Sequence, residues 1–206
     1  MKKATLFLSI LFFSFTSIYA QEKLIQPANF KTTAKALEVI KQLEDYRSYV
    51  YYDGNMNQIF GYGHLVWENE EKDALISKFG YETILETGER KVIPGKEKLT
   101  DSQKSKYIEE LFQKDVATVE NFMKENITVP LKQNQVDALV IYLFWRGGNP
   151  MNPDVNELYE LINKKKTNAV TDFMINRPKS DKNYLQGIVD RNTKTAQLYS
   201  TGVYSF

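Results

Sequence analysis

The chain has no cysteine and a single histidine, His64, among its 206 residues. The first absence removes disulfides, thiol nucleophiles and zinc-thiolate sites. The second removes any multi-histidine metal centre and any pair of catalytic histidines. An excess of one charge is missing too, with 27 basic side chains against 26 acidic ones. Binding to a nucleic acid backbone needs a concentrated positive surface, so nucleic acid is not an expected partner. A basic helix coating a membrane is disfavoured on the same ground. The apolar run of residues 4–17 is shorter than the ~20 residues a spanning helix requires, so no stable membrane anchor is expected. With thiols and histidine pairs gone, carboxylates are the groups left to serve an enzyme as acid and base.

That apolar run has a different meaning. Met1-Lys2-Lys3 is a basic start, and Ser17-Ile18-Tyr19-Ala20 places a small residue before Gln21. The pattern predicts a secretory signal over residues 1–20, and hence a secreted or periplasmic protein. Removing it takes away two lysines and no acid, which leaves 186 residues with a net charge of −1. At 42% hydrophobic and 13% aromatic residues, such a chain can bury a sizeable core without cross-links.

The organisation follows from periodicity. Residues 21–31 read as an irregular leader, and Thr32 or Thr33 can cap a helix running toward Asp45, with Leu37, Ile40 and Leu43 on its apolar face. Tyr49 to Tyr52 is rich in strand formers, Asp53-Gly54 is a turn signal, and Asn57 to Gly63 can return as a second strand. Residues 67–99 are charged and mixed, with a short helix around Asp73 to Phe79 and a loop at Pro94-Gly95. Thr100 with Gln103 is a capping box, and Ile108, Leu111, Phe112, Val116, Val119, Phe122 and Met123 extend one helix from Asp101 to about Lys124. Residues 136–145 are apolar nearly all round, the mark of a buried central helix, which Gly147-Gly148 ends. Further helices are predicted over Leu158 to Asn163, Asn168 to Asn176 and Tyr184 to Ser200. The whole reads as an α+β protein: a small N-terminal lobe with a β-hairpin over about 33–100, a connecting helix over about 101–124, and an all-helical C-terminal lobe over about 125–206.

Four charged residues interrupt these patterns. Glu44 lies seven residues after Leu37 and four after Ile40, on the apolar face of its helix. It is either a helix-end glutamate that reaches water or an inward carboxyl, whose pKa burial raises and a cation lowers. Asp53 follows nine residues later in the Asp-Gly turn, where aspartate is common for structural reasons alone. Together they have the makings of a glycosidase, in which one carboxyl protonates the leaving oxygen and the other activates water or attacks carbon. Asp115 is on the core side of the long helix, and pairing with His64 would tie hairpin to helix. Arg191 faces inward on the last helix, either snorkelling or holding a carboxylate in a cleft.

Glu44, Arg47, Tyr52-Asp53 and Gly61-Tyr62-Gly63-His64 together resemble the signature of the phage-type lysozymes, glycoside hydrolase family 24. The likeness continues through residues 111–116, Asp137-Ala138, Phe144, Arg191 and Thr201-Gly202, and spans about residues 33–204. It implies a lysozyme-like fold that hydrolyses β-1,4 bonds between N-acetylmuramic acid and N-acetylglucosamine in peptidoglycan, as a monomer without a cofactor or metal. Glu44 would be the proton donor, Asp53 the second carboxylate, Arg191 the partner of Glu44, and Leu65 and Phe144 sugar contacts. The resemblance also implies a His64–Asp115 ion pair and inversion at the anomeric carbon, with Asp53 helping to activate water. Ile59 departs from the pattern, since similar proteins carry there a threonine that orients the attacking water. Asn57, two residues earlier, is the nearest polar replacement on that strand face, whereas Gln58 should point away. A second departure is Trp145, where similar proteins often have an amide.

Overall fold

A computed structural model describes residues 23–54, 56–177 and 186–206. The predicted signal sequence therefore lies outside the described residues, as does the start of the helix expected from Tyr184. Two bodies are joined by one long helix.

The first helix, α1 (Ala34–Glu44), starts where the Thr33 hydroxyl accepts the Ala36 amide. It ends at Asp45, whose φ of 59° turns the chain sharply into a strand. Strand β1 (Arg47–Tyr52) pairs antiparallel with β2 (Gln58–Gly61), and β2 pairs with the short β3 (His64–Leu65). Helix α2 (Asn69–Phe79) follows, longer than the Asp73 to Phe79 segment that periodicity predicts.

Residues 80–94, to which the sequence pattern assigns no element, are ordered as strands up to the predicted loop at Pro94-Gly95. They form β4 (Gly80–Ile84) and β5 (Arg90–Pro94), an antiparallel pair, and β4 also runs parallel to β1 through Val50 and Tyr81. The hairpin of the sequence reading is thus part of a five-stranded sheet in the order β3-β2-β1-β4-β5. Gly80 makes the junction at φ 92°, where a Cβ would stand 2.1 Å from the Ile93 carbonyl oxygen. Val50, Phe60, Val66, Leu75, Phe79 and Ile108 close a small core between sheet, α2 and the long helix.

That long helix, α3 (Asp101–Asn126), opens with the expected capping box of Thr100 and Gln103. Its 26 residues span about 39 Å at 1.5 Å per residue, enough to reach from the sheet to the far side of the helical body. Helix α4 (Gln133–Arg146) buries every residue from Val136 to Leu143, as an apolar circumference requires, and Gly147 ends it at φ 78°. Around it lie α5 (Pro153–Asn163), α6 (Thr167–Asn176) and α7 (Gln186–Thr201).

The lobes divide differently from the order of residues. Ala36, Val39 and Ile40 of α1 pack into the core built on α4, so α1 belongs to the helical body although the sheet follows it directly. Two buried carboxylates hold its start. Glu120 of α3 accepts from the Thr32 amide and hydroxyl, both at 2.8 Å, and Asp137 of α4 accepts from the Thr33 amide at 2.9 Å and hydroxyl at 2.8 Å. Burial pushes the Glu120 pKa up, but hydrogen bonds from Thr32 and Lys31 outweigh it and hold the group below the usual glutamate value.

Candidate active site

Between the two bodies lies a cleft of about 900 Å³. Glu44, Asp53, Asn57, His64, Leu65, Asp115 and Phe144 all line it. Seven of the eight side chains singled out from the sequence therefore share one surface, and the eighth, Arg191, reaches it through Glu44.

Glu44 is the last residue of α1. Its Oε1 lies 2.7 Å from Arg191 Nη2 on α7, and the two side chains are 15% and 12% exposed. The contact is an ion pair rather than a well-aligned hydrogen bond, and the same Nη2 donates to the Ile141 carbonyl at 3.2 Å. The Trp145 indole lies over the guanidinium, 5.9 Å from its centre, so Arg191 is fixed by a backbone acceptor, a ring and the carboxylate. The other oxygen, Oε2, faces Gly63. At φ 78°, Gly63 adopts a conformation few other residues tolerate, and a Cβ there would sit 2.8 Å from Oε2. The sequence shows the Gly-x-Gly-His pattern, but only the coordinates show that this glycine makes room for the carboxyl.

Asp53 follows β1 at the tip of the β1–β2 turn. Its Oδ1 accepts the Asn57 amide at 2.8 Å and its Oδ2 accepts the Asn57 side-chain amide at 2.9 Å. The structural role of an aspartate that closes a turn and a position in the cleft are thus both present in one side chain. Asn57 precedes β2 and contacts Asp53 directly, while Gln58 points away and donates to the Tyr52 hydroxyl at 3.1 Å. Ile59, 9% exposed, presents an apolar surface to the cleft. Its partner across the ladder is Tyr51, which lines the same cleft. Burial, and then the negative charge of Glu44, raises the Tyr51 pKa, so the phenol keeps its proton at neutral pH. Tyr51 was not among the residues the sequence singled out; its alternation with Asp53 along the strand was the available signal.

His64 joins three elements. From β3, its Nδ1 is 2.9 Å from Asp115 Oδ2 on α3, and its Nε2 is 3.2 Å from Glu71 Oε1 on α2. Burial lowers the imidazole pKa, but the hydrogen bond and charge of Asp115, with those of Glu71, outweigh it and leave it above 6.5. Glu71 was missed because its helix has no strong apolar stripe against which an inward carboxylate would stand out. Below the cleft, Tyr62, Phe112 and Phe144 contact in succession at 5.4 and 5.5 Å, linking sheet to α3 and α3 to α4. Leu65 and Phe144 thereby present apolar surface on opposite bodies, a pairing suited to a ligand with both polar and apolar faces. Among the described residues, no group of three or more His, Asp or Glu side chains is placed to hold a metal ion.

The family model described as phage lysozyme matches residues 41–195. Among solved structures, the chain is similar to an endolysin from Escherichia coli O157:H7 phage FAHEc1, with 22% identity and a TM-score of 0.58 over 88% of this chain and all of that one. It is similar to the muramidase domain of SpmX from Asticaccaulis excentricus, at 19% identity and a TM-score of 0.57, covering 83% of this chain and 98% of that chain. A P22 lysozyme mutant shares 19% identity with a TM-score of 0.53, over 82% and 97% of the two chains. At these identities the likeness establishes the fold. No curated protein matches the sequence.

Proposed function

Because the chain belongs to the phage lysozyme family, and is therefore a glycoside hydrolase of the lysozyme type, we propose that it cleaves the β-1,4 bond between N-acetylmuramic acid and N-acetylglucosamine in peptidoglycan, with Glu44 as general acid and Asp53 as second carboxylate. The observation that carries this reading is Glu44 itself: a carboxyl at a helix end, clamped at 2.7 Å by Arg191, in a cleft that Asp53 also lines. Protonated Glu44 gives its proton to the glycosidic oxygen as the C1–O bond breaks. A water oxygen attacks C1 from the other face, and its proton passes to Asp53. Arg191 orients the acid through Oε1 and leaves Oε2 beside Gly63.

The water-orienting hydroxyl expected at residue 59 is absent. Asn57, bonded to Asp53, and Tyr51, across the ladder from Ile59, are the polar groups this reading assigns to that task. Leu65 and Phe144 would contact sugar. The basic start and short apolar run of residues 1–20 support export, with the mature chain acting in the periplasm or outside the cell as a monomer. No described helix is long and apolar enough to cross a membrane.

The test is release of reducing ends and loss of turbidity from purified peptidoglycan by residues 21–206. Glu44→Gln and Asp53→Asn should each lower the rate by roughly 10²-fold or more. A second reading rests on Ile59 and on the engagement of both Asp53 oxygens by Asn57: a wall-binding protein that cuts weakly. Retention on peptidoglycan without release of reducing ends would favour it, and an unchanged rate in either carboxyl variant would overturn the residue assignment.

A further inference from the structure

Trp67 lines the same cleft, yet it is 82% exposed. A buried indole repays its ordering through apolar contact, whereas an exposed one gains little for the protein itself. Its backbone is not loose. Val66, just before it, is buried in the small core and donates its amide to the Gln58 carbonyl at 2.9 Å. Just after it, Glu68 accepts the Lys72 amide at 2.9 Å to start α2. Three residues back, His64 is held between Asp115 and Glu71. The indole therefore projects from a short segment anchored on both sides. Among the described residues, no aromatic ring or cation packs on it, in contrast to Trp145, which contacts Tyr142, Arg146 and Arg191.

We propose that Trp67 is a stacking platform for an amino-sugar ring bound away from the bond that is broken, and so sets the length of glycan the cleft prefers. The apolar C–H face of a pyranose covers an indole while its hydroxyls stay in water, which is the match an amphipathic exposed ring calls for. The platform binds substrate and transition state alike, so its removal raises KM and spares kcat. The assignment rests on the reading of the cleft as a glycan site.

The experiment uses residues 21–206 as wild type, Trp67→Ala and Trp67→Phe. Kinetics are measured on soluble peptidoglycan strands, and binding of an N-acetylglucosamine tetramer is followed by tryptophan fluorescence. Trp67 and Trp145 are the two tryptophans of the chain, so in Trp67→Phe only Trp145 emits. Trp67→Ala should raise KM roughly tenfold with kcat within about twofold, and Trp67→Phe should recover most of the loss. The tetramer should shift wild-type emission, and the shift should be markedly smaller in Trp67→Phe, where it comes from Trp145 alone, which also lines the cleft. Equal KM in wild type and Trp67→Ala, with wild type active, overturns the platform and leaves the hydrolytic reading intact. A Trp67-dependent shift without cleavage supports the platform and overturns hydrolysis. Neither binding nor cleavage overturns both.

Discussion

Arg191 reaches across from α7 to within 2.7 Å of Glu44 at the end of α1, and both partners are largely withdrawn from water. Breaking such a pair strands the remaining charge. Arg191→Met should therefore lower stability by about 3 kcal/mol, whereas the double variant Glu44→Gln with Arg191→Met should lose less than the two single losses added together. Denaturant titration of the four proteins gives the coupling. Additive losses would mean that the two side chains do not sense each other.

Gly63 leaves no space for a methyl group beside Oε2 of Glu44. Gly63→Ala should cost about 1–2 kcal/mol for its positive φ and displace the carboxyl as well. With Glu44 as the proposed general acid, the expected result is a rate on peptidoglycan at least roughly tenfold lower, because such a group acts only within hydrogen-bond reach. A variant with wild-type turnover would show that Oε2 has room to spare.

His64 holds β3 to α3 and α2 through Asp115 and Glu71. Since its folded pKa is raised, the folded state binds the proton more tightly than the unfolded chain does. The stabilisation is complete below the unfolded value of about 6.5 and is lost as pH rises through the folded value. His64→Ala should thus be destabilised by about 1–2 kcal/mol near pH 5.5, with a smaller gap at high pH. Thermal melts of both proteins from pH 5 to 9 measure it, and a gap that grows with pH would contradict the assignment.

Tyr51 faces the cleft opposite Ile59 and keeps its proton at neutral pH. If its hydroxyl orients water, Tyr51→Phe should lower kcat by roughly tenfold with KM little changed, an effect expected of an interaction realised in the transition state. Ile59→Thr in the Tyr51→Phe background should restore part of the rate. Steady-state kinetics that show unchanged kcat in Tyr51→Phe would assign the task to Asn57 instead.

Strong periodicity explains what could be read before any coordinates. The Thr100–Gln103 capping box, the stripe from Ile108 to Met123 and the apolar circumference of α4 each specify a helix locally, and each is present. Glu44, Asp115 and Arg191 were visible because a charge on an apolar stripe is conspicuous. Strands β4 and β5 lack such a signature: Glu82, Arg90 and Lys91 interrupt them, and most of β5 is exposed. Their pairing depends on the parallel contact of β4 with β1, which is a tertiary relationship. The signal that singles out Glu44 also marks Glu120, four residues after Val116, and Asp137, inside the apolar α4; what the sequence does not show is their partners, since the Thr32 and Thr33 donors lie about 90 to 100 residues away.

The seating of α1 has a consequence for biosynthesis. The side chains that anchor this helix to the rest of the body are translated later: Glu120 and Asp137 at its beginning, Arg191 at its tip, and Tyr204, whose hydroxyl reaches Asp137 at 2.5 Å. Chains emerge from the ribosome N-terminus first, and contacts this distant in sequence close slowly. The segment that ends in Glu44 therefore cannot complete its docking until nearly the whole polypeptide has been made.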